Sequence, residues 1–135
     1  MNTVKKILET QNVTDMQDMA LNDHYKIHAP SQGLMDLDIE KVLDDQLSVA
    51  HYYTQRGDLM RDPEIVFQVE QLSDTDSWTP IIYRQDGFPQ VFQHNETGLG
   101  RSVTDFADQW SDNLQAQGFY DQAVDNKLET TLYDQ

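Results

Sequence analysis

Leu34-Met35-Asp36-Leu37-Asp38-Ile39-Glu40-Lys41-Val42 alternates residue by residue between apolar and acidic side chains. A period of two puts Met35, Leu37, Ile39 and Lys41 on one side of a strand and Leu34, Asp36, Asp38 and Glu40 on the other. Strand signals continue on both flanks. Upstream, His24 to Ala29 sets Tyr25 and Ile27 on one face, and Pro30-Ser31-Gln32-Gly33 turns the chain. Downstream, Asp44-Asp45-Gln46 is a turn into Leu47 to Gln55, a run rich in β-formers. Gly57-Asp58 breaks that run, and Arg61-Asp62-Pro63 reads as a loop stiffened by Pro63. Glu64 to Gln71 follows as a strand, with Ile65, Phe67 and Val69 alternating against Val66. Beyond the polar loop Ser73 to Ser77, Trp78 to Arg84 and Phe88 to Gln93 flank Gln85-Asp86-Gly87, a tight-turn signal. Asn95 to Gly100 is a loop with two glycines.

Helical signals lie at the two ends. Thr3 caps a short helix to about Gln11, with Val4, Ile7 and Leu8 on one face, and Thr14 caps a second short piece through Met16, Met19 and Leu21. The strongest helix is the last, capped by Ser102 or Thr104 and reaching Gln117. At ~100° per residue, Val103, Phe106, Ala107, Trp110 and Leu114 form one apolar stripe. Gly118 sits at the left-handed C-cap position and Phe119 supplies the usual apolar contact after it. The expected fold class is α+β: one domain over residues 1–135, with an antiparallel sheet of about five or six strands (24–94). An N-terminal helical part (1–23) and a C-terminal helix (102–118) pack on that sheet. For 119–135, a frayed helix and a flexible tail are both open.

Aspartate and glutamate number 24 against nine lysines and arginines, a formal net charge of −15 on 135 residues. Such a surface repels nucleic acid, anionic lipid and phosphorylated substrates, and it attracts basic protein surfaces. The absence of cysteine removes disulfides and thiolate metal sites. No apolar run is long enough for a membrane helix, and the N-terminus lacks a signal-peptide pattern, so a cytoplasmic protein is expected.

Three constellations carry chemistry. On the last helix Asp105, Asp108 and Asp112 recur at i, i+3 and i+7, opposite the Phe106/Trp110 stripe, and Asp121 and Asp125 extend the row. An ordinary solvated helix face mixes both signs, whereas this one has no interleaved lysine. Asp36, Asp38 and Glu40 form a second acidic row if their side of the strand faces solvent. His51, Asp58, Asp62 and Glu64 supply imidazole and carboxylates within fourteen residues, the ligand types of a metal site. The competing reading pairs Arg56 and Arg61 with Asp58 and Asp62. His24 and His28 share a strand face but lie ~13 Å apart there, too far for a two-histidine site, which leaves open a composite of either one with His51 and an aspartate. No nucleophile elbow or phosphate-binding loop is present, and no cofactor is expected.

Ser48-Val49-Ala50-His51-Tyr52-Tyr53, Gln55, Gly57-Asp58-Leu59-Met60-Arg61-Asp62-Pro63-Glu64, Phe67, Trp78-Thr79-Pro80, Tyr83 and Phe106…Trp110…Leu114-Gln115-Ala116-Gln117-Gly118-Phe119 resemble an uncharacterised domain-of-unknown-function family. The resemblance runs from His24 to Phe119 and does not cover the part before His24. That family occurs on plasmids, integrative elements and phages of Gram-positive bacteria, often near anti-restriction genes. It carries no assigned activity, so the resemblance implies a mobile-element context and no site residues. Combined with the charge, it leads to an expected function: a non-enzymatic counter-defence inhibitor of anti-CRISPR or DNA-mimic type. Such a protein would bind the basic nucleic-acid-binding surface of a defence effector such as Cas9 or a restriction enzyme, without touching nucleic acid or membrane. The alternatives are a metal-binding module or metal-dependent enzyme around His51, Asp58, Asp62 and Glu64, and a host-factor adaptor in conjugation or plasmid maintenance.

Overall fold

The computed structural model describes residues 1–86, 91–93 and 101–125. Helix α1 (Asn2–Thr10) is followed by a 3-10 turn (Met16–Asp18) and then by strands β1 (His24–Ile27), β2 (Leu37–Leu43), β3 (Gln46–Gln55) and β4 (Asp58–Val69). A second 3-10 turn (Thr75–Ser77) leads to β5 (Trp78–Arg84), the short β6 (Val91–Gln93) and helix α2 (Arg101–Ala116). All strands pair antiparallel with their sequence neighbours, in the order β1-β2-β3-β4-β5-β6. The α+β architecture is therefore the one the alternation implies.

Alternation also decides which side of the sheet is covered. Leu37, Ile39, Leu47, Val49, Ile65, Phe67 and Val69 are buried on one face, against Val4, Ile7 and Leu8 of α1 and Ala107, Trp110 and Leu114 of α2. The α2 stripe is thus the expected one, with Val103 and Phe106 partly buried at its margin. Gly118, at φ +92°, takes the left-handed turn after α2, and Phe119 behind it is fully buried. Residues 119–125 are helical, and Ala123 is buried among them. Of the two readings left open from residue 119, the helical one holds up to 125, because Phe119 and Ala123 lie four apart and face the core together. Residues 126–135 and the Asn95–Gly100 loop lie outside the described residues.

Several boundaries differ from expectation for local reasons. Arg61-Asp62-Pro63 is not a loop: β4 runs straight through it, and the Asp62–Pro63 peptide is cis. The ladder passes from Ala50↔Glu64 to Tyr52↔Arg61, so the proline occupies a bulge beside His51, a place where a missing amide donor is tolerated. Arg56 and Gly57, at φ 53° and 85°, form the two-residue turn of the β3–β4 hairpin. Between β5 and β6 the register Arg84↔Val91 leaves six residues rather than a tight turn, of which Gly87 to Gln90 lie outside the described residues.

The expected caps are also displaced. Thr3 lies inside α1, where its hydroxyl donates to the Ser111 carbonyl at 2.6 Å and its amide donates to Ser111 Oγ at 3.1 Å, joining the two helices. Asp15, not Thr14, caps the first 3-10 turn, reciprocally with Asp18. α2 begins at Arg101, which places Ser102 and Thr104 within the helix.

Lys41 falls on the buried side, as its parity requires, and its ammonium donates to the carbonyls of Met16 (2.8 Å) and Met19 (2.9 Å). A charge in that position is tolerated because its donors are engaged. Lys41→Met is therefore expected to cost about 1–3 kcal/mol in denaturant unfolding. Amide exchange should accelerate most over residues 16–23; a uniform acceleration would show that the pair does not hold this segment.

Candidate functional site

Two surfaces collect the candidate residues. On α2, Asp105, Asp108 and Asp112 are all exposed, as are Asp121 and Asp125 beyond it. The apolar stripe has turned inward, so the opposite face of the helix must point to water. None of the five forms an ion pair with any described side chain. Burial lowers the pKa of the Met1 amino group, while Asp108, Asp112 and Asp76 pull it back up. Asp76 and Asp108 also line one shallow cavity with Met1, so acids of α2 and of the 3-10 turn before β5 meet around the chain's amino end.

The second surface is the outer face of the sheet, away from the helices. Register and parity align Lys26, Asp38, Ala50, Glu64 and Arg84 in one row across β1 to β5. His24, Glu40, Ser48, Val66 and Ile82 form the row beside it. Glu64 is only 6% exposed, yet it is compensated: Ser48 Oγ donates to one oxygen at 2.5 Å and Arg84 Nη1 to the other at 2.8 Å. Arg61 stands 3.6 Å from the same carboxylate and forms a two-pronged pair with Asp86 at 3.0 and 3.1 Å. The Arg61 side chain, aided by its backbone amide, holds the Asp86 carboxyl below its usual range. Tyr52 lies beside this network, and burial, then Glu64, Asp38 and Glu40, push its hydroxyl up to about 12.

Asp36, Asp38 and Glu40 do share one face, as the alternation requires. They do not line a strand edge, because β1 pairs alongside and brings Lys26 and His24 opposite Asp38 and Glu40. Asp36 is further engaged by the Ala29 amide (2.8 Å), His28 (3.6 Å) and Lys26 (3.7 Å). Asp38 differs from its neighbours. Its Oδ1 is buried and accepts no hydrogen bond from any described residue. Burial raises its pKa, against the pull of His24 and Lys26.

The four residues weighed as metal ligands do not converge. His51 points to the helix side, where its ring lies 5.3 Å from that of Trp110 and 5.5 Å from that of Phe119. Burial lowers its pKa, and its Nδ1 is 3.1 Å from the Asp36 carbonyl. Glu64 belongs to the opposite face, Asp58 is exposed beside the hairpin turn, and Asp62 accepts from Gln85 Nε2 at 2.7 Å. Among the described residues no group of histidines and carboxylates has a metal-holding arrangement. The expected pairing of Arg61 with Asp62 is likewise replaced by Asp86 and Glu64, which the register brings nearer. Sequence reasoning missed the Ser48–Glu64–Arg84–Arg61–Asp86 network. Its one local signal is the small pair Ser48 and Ala50, at alternate positions in a strand otherwise built of large residues.

Fold and surface together define a small, acidic α+β domain: an antiparallel meander with helices on one face and a charged network on the other. The chain belongs to the family described as a domain of unknown function (DUF6908), which matches residues 2–120. The matched span starts at α1, so the part before His24, which the resemblance left out, is included in the family's domain. No curated protein and no solved structure matches the chain. No helix among the described residues is long and apolar enough to cross a membrane.

Two of the perturbed carboxylates, Asp86 and Asp38, carry opposite signs in pH. Asp86 has a depressed pKa, so its contribution is present above the ordinary aspartate value and fades as pH falls through the depressed one. Asp38 has a raised pKa, so the penalty of its charge is absent below the ordinary value and grows as pH rises through the raised one. Asp86→Asn is expected to lower stability at neutral pH by about 1 kcal/mol, given partial solvent exposure, with a lower Tm, and to lose that effect in strong acid. Asp38→Asn is expected to match or exceed the parent Tm at neutral pH. Thermal melts of both variants from about pH 3 to pH 7 check the signs.

Proposed function

We propose that this chain is a non-enzymatic counter-defence protein of a mobile genetic element. Its acidic surface occupies the basic nucleic-acid-binding surface of a bacterial defence effector, of the Cas9 or restriction-enzyme kind. One contrast carries the reading. Outward carboxylates with a structural task have partners: Asp36 has Lys26 and His28, Glu64 has Ser48 and Arg84, and Asp86 has Arg61. Asp105, Asp108 and Asp112 form no ion pair with a described side chain, the Met1 amino group being the cation that Asp108 and Asp112 act on, although like charges at this spacing weaken a helix by a few tenths of a kcal/mol per pair.

A row of exposed carboxylates on a rigid helix offers a cationic groove what a phosphate backbone offers it: repeated negative charge that displaces counterions. The overall charge of −15 adds long-range attraction to such a groove. The mobile-element context implied by the resemblance supplies the class of effector, since elements entering a cell meet nucleases with basic channels. The metal reading has lost its ligand set to two faces of the sheet and is not carried further.

Capture of the tagged protein's partner from a host lysate containing its own defence systems tests the proposal. A CRISPR effector or restriction enzyme is expected from the parent protein. Reversing Asp105, Asp108 and Asp112 to lysine should abolish that capture while Tm stays level or rises through relief of repulsion. Recovery of conjugation or replication factors alone would replace the proposal with the adaptor reading. Undiminished capture by the reversed variant would remove α2 from the contact.

A further inference from the structure

Beyond Ala50 and Glu64 the β3–β4 hairpin leaves the sheet as a two-stranded arm. There Tyr52 pairs with Arg61, Thr54 with Leu59 and Gln55 with Asp58, past the last residues that β2 and β5 contribute to the ladder. At the root of the arm lies a cleft of about 170 Å³, lined on one side by Lys26, Asp36 and Asp38 and on the other by Tyr52, Tyr53 and Leu59. Leu59, at its rim, is 67% exposed, unusual for a residue of that kind.

The lining states what the cleft accepts. Asp36 and Asp38 outnumber Lys26, and Lys26 stands 3.7 Å from Asp36 Oδ2, with more than half of its side chain in solvent. The charge left over is that of Asp38, whose Oδ1 is shielded from water and unpartnered among the described residues. With Oδ1 closed to water, a ligand in the cleft donates to the other carboxylate oxygen, and donors brought there offset part of the cost of holding this charge partly buried. The Tyr52 ring beside an ionised carboxylate favours a cation that is flat, weakly hydrated and rich in N–H groups, which describes guanidinium better than ammonium. An apolar rim suits the methylene stem behind it.

We propose that this cleft receives one arginine side chain of the basic partner, its guanidinium donating to the Asp38 carboxylate beside Tyr52. The inference rests on the reading of the protein as a binder of basic surfaces and adds to the α2 row a point of register. Long-range charge brings the partner in, and a single arginine on the sheet side fixes its orientation.

The test titrates the full isotope-labelled chain with acetyl-arginine amide and, as its uncharged isostere, acetyl-citrulline amide. Saturable amide shifts centred on residues 36–38 and 52–54 are expected with arginine, at least tenfold weaker with citrulline, and lost in Asp38→Asn. Equal shifts with both probes, shifts centred elsewhere, or saturation unchanged in Asp38→Asn would overturn the inference. The arginine-to-citrulline comparison uses the parent protein, so it stands whatever the variant's folding.

Partner capture separates this inference from the proposal beneath it. Asp38→Asn, with α2 intact, should weaken a captured effector at least tenfold; capture at full strength would overturn the cleft's role and leave α2 standing. Saturable arginine binding by a parent protein that captures no effector would uphold the cleft and overturn the counter-defence reading.

Discussion

The burial of Trp110, Leu114 and Phe119 in the core beneath the inward face of the sheet, with the His51 ring of β3 against two of them, is the contact on which the rest of the molecule depends. Each such side chain contributes about 1.5–3 kcal/mol when removed from water. Repulsion between exposed helix carboxylates costs only a few tenths of a kcal/mol per pair. Burial wins that comparison, so a chain with a net charge of −15 can fold and still present its acids outward. The same burial fixes the azimuth of α2. Once Ala107, Trp110 and Leu114 face the sheet, Asp105, Asp108 and Asp112 must face solvent. Thr3 and Ser111 bond α1 to α2, making the helical layer one unit rather than two independent lids.

The two faces of the sheet solve different problems. On the helix side, charge is admitted only where backbone carbonyls meet it, as at Lys41, or where the group is held neutral, as burial favours for His51. On the outer side, β3 and β4 carry Ser48, Ala50, Glu64 and Val66, all buried without a covering helix. Neighbouring long side chains close over them: Arg61, Arg84 and Tyr52 lie across the small residues and shelter the Glu64 carboxylate. Asp38 sits in the same row without an equivalent set of donors. A rigid, sheltered frame with one unsatisfied acceptor at its edge is the arrangement expected of a recognition surface, because pre-organisation reduces the ordering cost of binding.

Most of the fold was legible because its signals are periodic. The alternation from Leu34 to Val42 reports both the strand and its buried side, and the stripe from Val103 to Leu114 reports both the helix and its solvent face. What was not legible depends on partners distant in sequence. Thr3 reads as a cap until Ser111 is seen opposite it, 108 residues away. Pro63 reads as a strand breaker because the bulge that accommodates it is a property of the β3–β4 pairing, not of either strand. The row Asp36, Asp38 and Glu40 was visible, but the placing of Lys26 and His24 opposite Asp38 and Glu40 and the contacts of Asp36 with Lys26 and His28 needed the β1–β2 register. The proposed metal set failed for a related reason. His51 and Glu64 are near in sequence, yet parity across a bulge sends them to opposite faces.

The central claim is that the uncompensated carboxylates of this domain make its contact with a basic partner. The salt dependence of the affinity for the captured effector addresses it directly, because displaced counterions appear as the slope of log K against log salt. The account predicts a steep negative slope that becomes shallower as Asp105, Asp108 and Asp112 are neutralised one by one to asparagine. A flat dependence, with affinity instead sensitive to apolar substitutions such as Leu59→Ser, would contradict it.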